Sequence, residues 1–302
     1  MSEQSKASLA AAATGILVGA AMVSTRMLSS ETTPATLAFL RYLIGLGILV
    51  VPVLLSSRTR FLFKDAVAIA ILGIFQFAVL IVLLNHALET LSAAICALIF
   101  STMPLVTMGL AILTRREVYS PVKLCGLVLA VSGVALHSSA SMEGAHGGIP
   151  ALAAIIAATL IGAICSLLYR PYLQRYPTLP TSVLAMSAAV IFLGGLCLIT
   201  AQPLVPHLST TAWMNVGFIG LSSGLGYFCL LWALGRVDAS RVVAFQALGP
   251  VTAAAIELTI ARQFPSWQLL VAIVLVVAGL LFALREVKRA VPGASLSRFA
   301  AR

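Results

Sequence analysis

Residues 87–136 read ALETLSAAICALIFSTMPLVTMGLAILTRREVYSPVKLCGLVLAVSGVAL, and they lie without a gap over residues 233–282, ALGRVDASRVVAFQALGPVTAAAIELTIARQFPSWQLLVAIVLVVAGLLF, at a constant offset of 146. Eleven of the fifty positions are identical, and the register sets Pro104 on Pro250, Arg116 on Arg262, Ser120 on Ser266, Leu124 on Leu270 and Gly133 on Gly279. In so Ala-, Leu- and Val-rich a chain the count is modest. The aligned prolines and the gapless register carry the inference of an internal repeat.

Working outward, breaks at polar, proline and charged clusters divide the 302 residues into ten candidate helices: 9–28, 34–55, 65–87, 92–113, 120–138, 149–170, 180–200, 211–235, 239–261 and 266–285. The offset puts five in each half, and an odd number of spans turns the second unit over relative to the first. The sequence therefore predicts an all-α membrane protein with ten transmembrane helices in two inverted five-helix repeats. The first repeat takes residues 1–138, a linker 139–148, the second repeat 149–285 and a basic cytoplasmic tail 286–302. The first helix follows Lys6 and holds small residues, as a signal peptide would, but its removal would leave nine spans and spoil the repeat.

Composition agrees. Hydrophobic residues make up 61% of the chain and charged residues 9%, against roughly half and a quarter in soluble domains. Ten spans of about 20 residues would use about 200 positions and leave little for a soluble domain. The apolar runs are continuous rather than alternating, which excludes a porin-like barrel. Five cysteines sit singly inside these runs, with no CxxC or Cys/His spacing for a metal, and read as small buried residues.

The net charge of +10 would suggest nucleic acid in a soluble protein, but its placement argues otherwise. Of the 19 Lys and Arg, 16 fall on one side of the alternating spans: Lys6, Arg58, Arg60, Lys64, Arg115, Arg116, Lys123, Arg170, Arg175, Arg236, Arg241 and the five from Arg285 to Arg302. Only Arg26 and Arg262 fall on the other side, and Arg41 lies inside a helix. By the positive-inside rule both termini are cytoplasmic, in a multi-pass protein of the inner membrane, and no nucleic-acid partner is implied.

Two tandem five-helix halves, the segment Pro34-Ala35-Thr36-Leu37-Ala38-Phe39-Leu40-Arg41-Tyr42, and the stretch from Thr90-Leu91-Ser92-Ala93-Ala94 through Pro104 to Glu117 resemble the EamA family of the drug/metabolite transporter superfamily. The resemblance spans nearly the whole chain. It departs in the second half, where Gln263 stands at a position that is often Glu and Ser187 aligns with Arg41. It implies a secondary transporter, not an enzyme, exporting a small amino-acid-like or drug-like metabolite by alternating access. Helices 5 and 10 would then pack peripherally and support a homodimer. Membrane lipid and a small-molecule substrate are the expected partners, with proton coupling possible and no cofactor or metal. The rival readings are a non-transporting structural or lipid-binding subunit and a membrane-embedded lipid enzyme; the latter needs clustered His, Asp and Glu near one face, which the sequence lacks.

Arg41 lies about 10 Å inside its helix end, where a charge costs about 2.5–3.5 kcal/mol and is functional by default. It can anchor a substrate carboxylate or phosphate through its planar fork, or brace helix 2 by capping carbonyls. Glu257 is the carboxylate well inside a span, and serves proton coupling, an ion pair with an arginine, or neither as an interfacial residue. Pro104 and Pro250 are expected near mid-helix, each removing a backbone donor and freeing the carbonyl of Phe100 or Gln246. Matching interruptions in both halves point to a midplane site, beside which Ser101, Thr102 and Gln246 can hydrogen-bond a ligand. Gln76 aligns with Ser222, and Tyr227 can stack on a substrate ring or fill the bundle. Helices 1, 3, 4, 6, 8 and 9 are expected to line the cavity. Gly15 and Gly19, like Gly220 and Gly224, have the spacing of close helix crossings.

Overall fold

The structure, a computed structural model, describes residues 3–55, 59–114, 148–234, 248–261 and 267–287, together with 121, 125, 126, 128, 129, 132 and 245. The described residues are helical, with no strand among them. The elements are α1 (Glu3–Leu28), α2 (Pro34–Leu54), α3 (Phe63–Gly73), a π-helical stretch (Ile74–Val79), α4 (Leu80–Thr90), α5 (Ala93–Phe100), α6 (Met103–Leu113), α7 (Gly148–Arg175), α8 (Thr178–Ile199), α9 (Thr210–Leu234), α10 (Leu248–Ala261) and α11 (Trp267–Val287). Six apolar runs are long enough to cross a membrane: Ser5–Leu28, Pro34–Leu54, Phe63–Thr90, Ala93–Leu110, Gly148–Arg175 and Thr178–Ile199; Leu248–Ile260 and Trp267–Gly279 are shorter apolar helices. Most of the expected fifth span, the linker and the basic tail lie outside the described residues.

Local chemistry sets the helix starts. Thr33 caps α2 by accepting from the Thr36 N–H at 3.4 Å, with Pro34 in the first turn, where a missing N–H costs nothing. Ser92 caps α5 by accepting from the Ile95 N–H at 3.2 Å. Two expected helices differ in detail. The third runs from Phe63 to Thr90 through the π-helical stretch, where the Leu80 N–H reaches back five residues to the Phe75 carbonyl. The fourth is divided at Ser101–Thr102 into α5 and α6, and Pro104 stands in the first turn of α6 instead of mid-helix. Pro250 lies in α10, and the residues directly before Leu248 that would set its place along that helix lie outside the described residues. A proline fits a first turn, where no upstream carbonyl awaits its missing donor.

Helix packing follows small residues, as it must where lipid is as apolar as the interior and close backbone approach supplies the attraction. A Cβ on Gly19 would come within 2.3 Å of the Gly249 carbonyl oxygen, and one on Gly73 within 2.2 Å of the Ala185 carbonyl oxygen. Gly220 and Gly224 of α9 press on Ile44, Gly45 and Ile48 of α2. The neighbours obey a rule. Helix α1 packs on α9 as α4 packs on α7, α2 packs on α9 as α3 packs on α8, and α1 packs on α10 as α6 packs on α7. Each pairing turns into its partner when the two halves are exchanged at the repeat offset. Large apolar side chains such as Leu54, Ile191, Ile199 and Met214 stay exposed on the outer surface, as lipid contact requires. Cys96, Cys165 and Cys197 are buried as expected, but Cys229 is partly exposed and Cys125 exposed; on a lipid-facing surface a small apolar residue has no need of burial.

Side-chain bonds between helix ends gather at two ends of the bundle. At one, Asp65 of α3 accepts from Arg175 Nη1 at 2.7 Å and from the Tyr176 hydroxyl at 2.7 Å, while the Leu62 N–H donates to that hydroxyl at 3.2 Å. At the other, Thr33 donates to Gln202 Oε1 at 2.6 Å, Thr36 to the Pro203 carbonyl at 3.0 Å, and Asn85 to the Pro34 carbonyl at 2.9 Å.

Candidate functional site

Between these tied ends lies a cavity of about 170 Å³. Helices α1, α2, α4, α5, α6, α8 and α9 and the π-helical stretch contribute to its wall. The second and seventh spans therefore take part, and among the described residues the sixth and ninth do not, contrary to the expected set. The reason is packing: α7 is turned toward α4 and α6, and Gly15 and Gly19 of α1 lie directly on Leu248, Gly249 and Thr252 of α10.

Arg41, eight residues into α2, is 7% exposed. Its Nε donates to the Ser223 hydroxyl at 2.6 Å, and Ser223 in turn donates to the Ile219 carbonyl at 2.7 Å. Among the described residues its Nη1 has no hydrogen-bond partner. Gln76 sits within the π-helical stretch, and its Oε1 is likewise buried and unpartnered. One extra residue in a helical turn rotates the following side chains, a distortion common at functional positions. Of the other polar groups on the wall, Ser222 donates to the Ile219 carbonyl at 3.1 Å, and Thr14 shares its hydroxyl between the Ala10 and Gly226 carbonyls at 3.0 and 3.2 Å. Arg41 and Gln76 thus line the same cavity, and each keeps a buried polar atom, Nη1 and Oε1, without a protein partner among the described residues. Leaving such groups unpaired is costly.

The rest of the wall is apolar and aromatic. Tyr42 and Phe77 meet edge to face at 5.3 Å between centroids, and Phe77 meets Tyr227 at 5.5 Å. Met22, Met103 and Met186 fill the remainder with side chains that adapt to an irregular shape.

Of the expected contacts, Arg41, Gln76, Ser222 and Tyr227 come together at this cavity. Ser101 and Thr102 do not reach it: their hydroxyls turn back to the Leu98 and Ile99 carbonyls at 2.7 and 2.6 Å, and the neighbouring Phe100 and Met103 take their place on the wall. Gln246 lies outside the described residues. Ser223, Tyr42 and Phe77 were not among the expected contacts. A 3.6-residue count from Arg41 gives no sign of Ser223, which is 182 positions away, and the extra π-helical residue defeats an ordinary count from Gln76.

Glu257 does not meet Arg41. Its two oxygens accept from the N–H groups of Ala93 at 2.7 Å and Ala94 at 3.3 Å, at the start of α5. No ion pair forms at Glu257 among the described residues, because two free amides and the positive end of a helix already match a carboxylate. Arg26 holds the other end of the same turn, donating from Nη1 to the carbonyls of Leu91 and, at 3.4 Å, of Leu88. His86 pairs with Glu89 on the exposed surface. Among the described residues no His, Cys, Asp and Glu group could hold a metal.

Comparison with known proteins agrees with this architecture. The EamA-like transporter family matches residues 5–139 and 149–285. An uncharacterized transporter of Bacillus subtilis, YdfC, is 26% identical over 263 residues, covering 85% of this chain and 84% of that protein. An uncharacterized transporter of Archaeoglobus fulgidus is 25% identical over 244 residues, covering 78% of this chain and 82% of its own. A solved crystal structure superposes with a TM-score of 0.70 over 95% of this chain and 99% of the other, at 22% identity, a likeness of fold.

Proposed function

The chain belongs to the EamA-like transporter family, and on that premise we propose that it is a secondary transporter that exports a small organic solute across the inner membrane by alternating access, with the cavity around Arg41 as its solute site. The observation that carries this reading is the 7%-exposed Arg41 side chain, which lines a cavity between the halves and keeps a nitrogen unpartnered. A packing arginine would be expected to spend all its donors on protein; a solute-binding one keeps some for its ligand. Arg41, Gln76, Ser222 and Tyr227 are the proposed contacts.

The proposed topology is ten spans in two inverted repeats, residues 1–138 and 149–285, with both termini cytoplasmic. Its support is twofold. The helix pairings exchange when the halves are swapped. The ties at each end also join segments of one expected side: Asp65 with Arg175 on the basic side, Thr33 with Gln202 on the other. Bonds at both ends cross between the halves, and alternating access would release one set at a time.

Purified protein in liposomes tests the function. Solute-specific exchange across a broad panel of metabolites is expected, and loss of exchange in Arg41→Ala at equal incorporation. Absence of flux for the whole panel would overturn the transporter reading in favour of a structural or lipid-binding subunit.

A further inference from the structure

The charge balance of the cavity narrows the solute class; this deepens, and rests on, the assignment of this cavity as the solute site. Among the described residues the wall carries one formal charge, the Arg41 guanidinium. None of its acidic counterparts is near. The chain has nine Asp and Glu, and none whose side chain is described lines the cavity. Three on the membrane helices are engaged elsewhere, Asp65 with Arg175 and Tyr176 at one end, Glu257 with the amides of α5 at the other, and Glu89 with His86. Glu117, Glu143, Asp238 and Glu286 fall in sequence between or beyond the apolar spans.

A carboxylate entering this space meets the Arg41 side chain, whose Nη1 has no protein partner among the described residues, and restores neutrality. A zwitterion brings an ammonium as well. It could donate to Gln76 Oε1, but one neutral carbonyl does not offset the removal of a full charge from water, and the ammonium is repelled by the guanidinium across a small, weakly polar space. Gln76 suits a neutral donor instead, a hydroxyl or amide N–H. The aromatic and methionine walls suit an apolar body.

We propose that the cavity selects small organic monoanions, a carboxylate on an apolar or aromatic body bearing one neutral hydrogen-bond donor, over zwitterions and amines of the same shape. The presence of Arg41 and Gln76 together on a wall with no carboxylate among the described residues is what separates the three.

The test is binding to the full-length protein in detergent micelles, by calorimetry and thermal stabilisation, using four probes of one shape: phenyllactate, phenylpropionate, phenylalanine and phenethylamine. Phenyllactate should bind tightest, phenylpropionate several-fold weaker for want of the donor, and phenylalanine and phenethylamine about tenfold weaker or more. Arg41→Gln should weaken phenyllactate by about tenfold or more. The probe series on the wild type stands even if that variant does not fold. Phenylalanine or phenethylamine binding as well as phenyllactate, or no binding by any of the four, overturns the proposal. Failure here leaves transport open, since a preferred zwitterion can still be carried. Conversely, phenyllactate bound while no solute of the metabolite panel crosses liposomes would sink the transporter reading and leave the anion site standing.

Discussion

Glu257 of α10 accepts a hydrogen bond from the backbone N–H of Ala93 at 2.7 Å, so a carboxylate in one half caps the first turn of a helix in the other. Helix starts leave amides unpaired, and in a membrane no water is at hand to satisfy them. Glu257→Ala should lower unfolding stability by about 1–3 kcal/mol, the usual cost of losing a charged partner for buried donors. Glu257→Gln, which keeps one acceptor oxygen, should lose less and retain uphill flux. Denaturation in detergent and gradient-driven transport in liposomes check both. Loss of uphill flux with exchange spared would instead make Glu257 a proton carrier.

Opposed ties at the two ends predict opposed effects. Asp65→Asn weakens the Asp65–Arg175–Tyr176 cluster, and Glu257→Ala weakens the other end. A cysteine at Gln76, in a background without the five native cysteines, should then label faster with an impermeant thiol reagent from the basic side in Asp65→Asn and from the opposite side in Glu257→Ala. Equal labelling from both sides in both variants would argue that these bonds do not gate.

Close helix crossings predict which glycines are irreplaceable. Gly73→Ala drives a methyl against the Ala185 carbonyl oxygen and should cost about 1–3 kcal/mol or more, because backbone must move. Gly195 has nothing within 4 Å of the same methyl, so Gly195→Ala should be neutral or gain about 0.5–1 kcal/mol. Thermal unfolding of the two variants side by side gives the comparison.

The all-helical membrane character and the family were legible in sequence because apolar runs and local motifs are one-dimensional signals. The apolar runs gave the helices, the aligned Pro104 and Pro250 marked equivalent places, and Arg41 stood out as a charge where lipid forbids one. The break at Ser101–Thr102 was anticipated by Pro104, but not its consequence: the hydroxyls bond back to their own helix and Phe100 and Met103 face the cavity. The π-helical turn at Ile74–Val79 has no sequence periodicity to announce it. Glu257 illustrates the remaining gap. Its depth was readable, but its partners are backbone amides of another helix, and backbone carries no residue-specific signal.

The central claim is that Arg41 anchors the transported solute. Its most direct test is the extracellular metabolite profile of cells expressing the wild type, Arg41→Ala or Arg41→Lys at matched membrane levels. The account predicts that one or more organic anions accumulate outside wild-type cells and that this accumulation vanishes in Arg41→Ala and falls sharply in Arg41→Lys, whose point charge lacks the guanidinium fork. Unchanged export in both variants would contradict it.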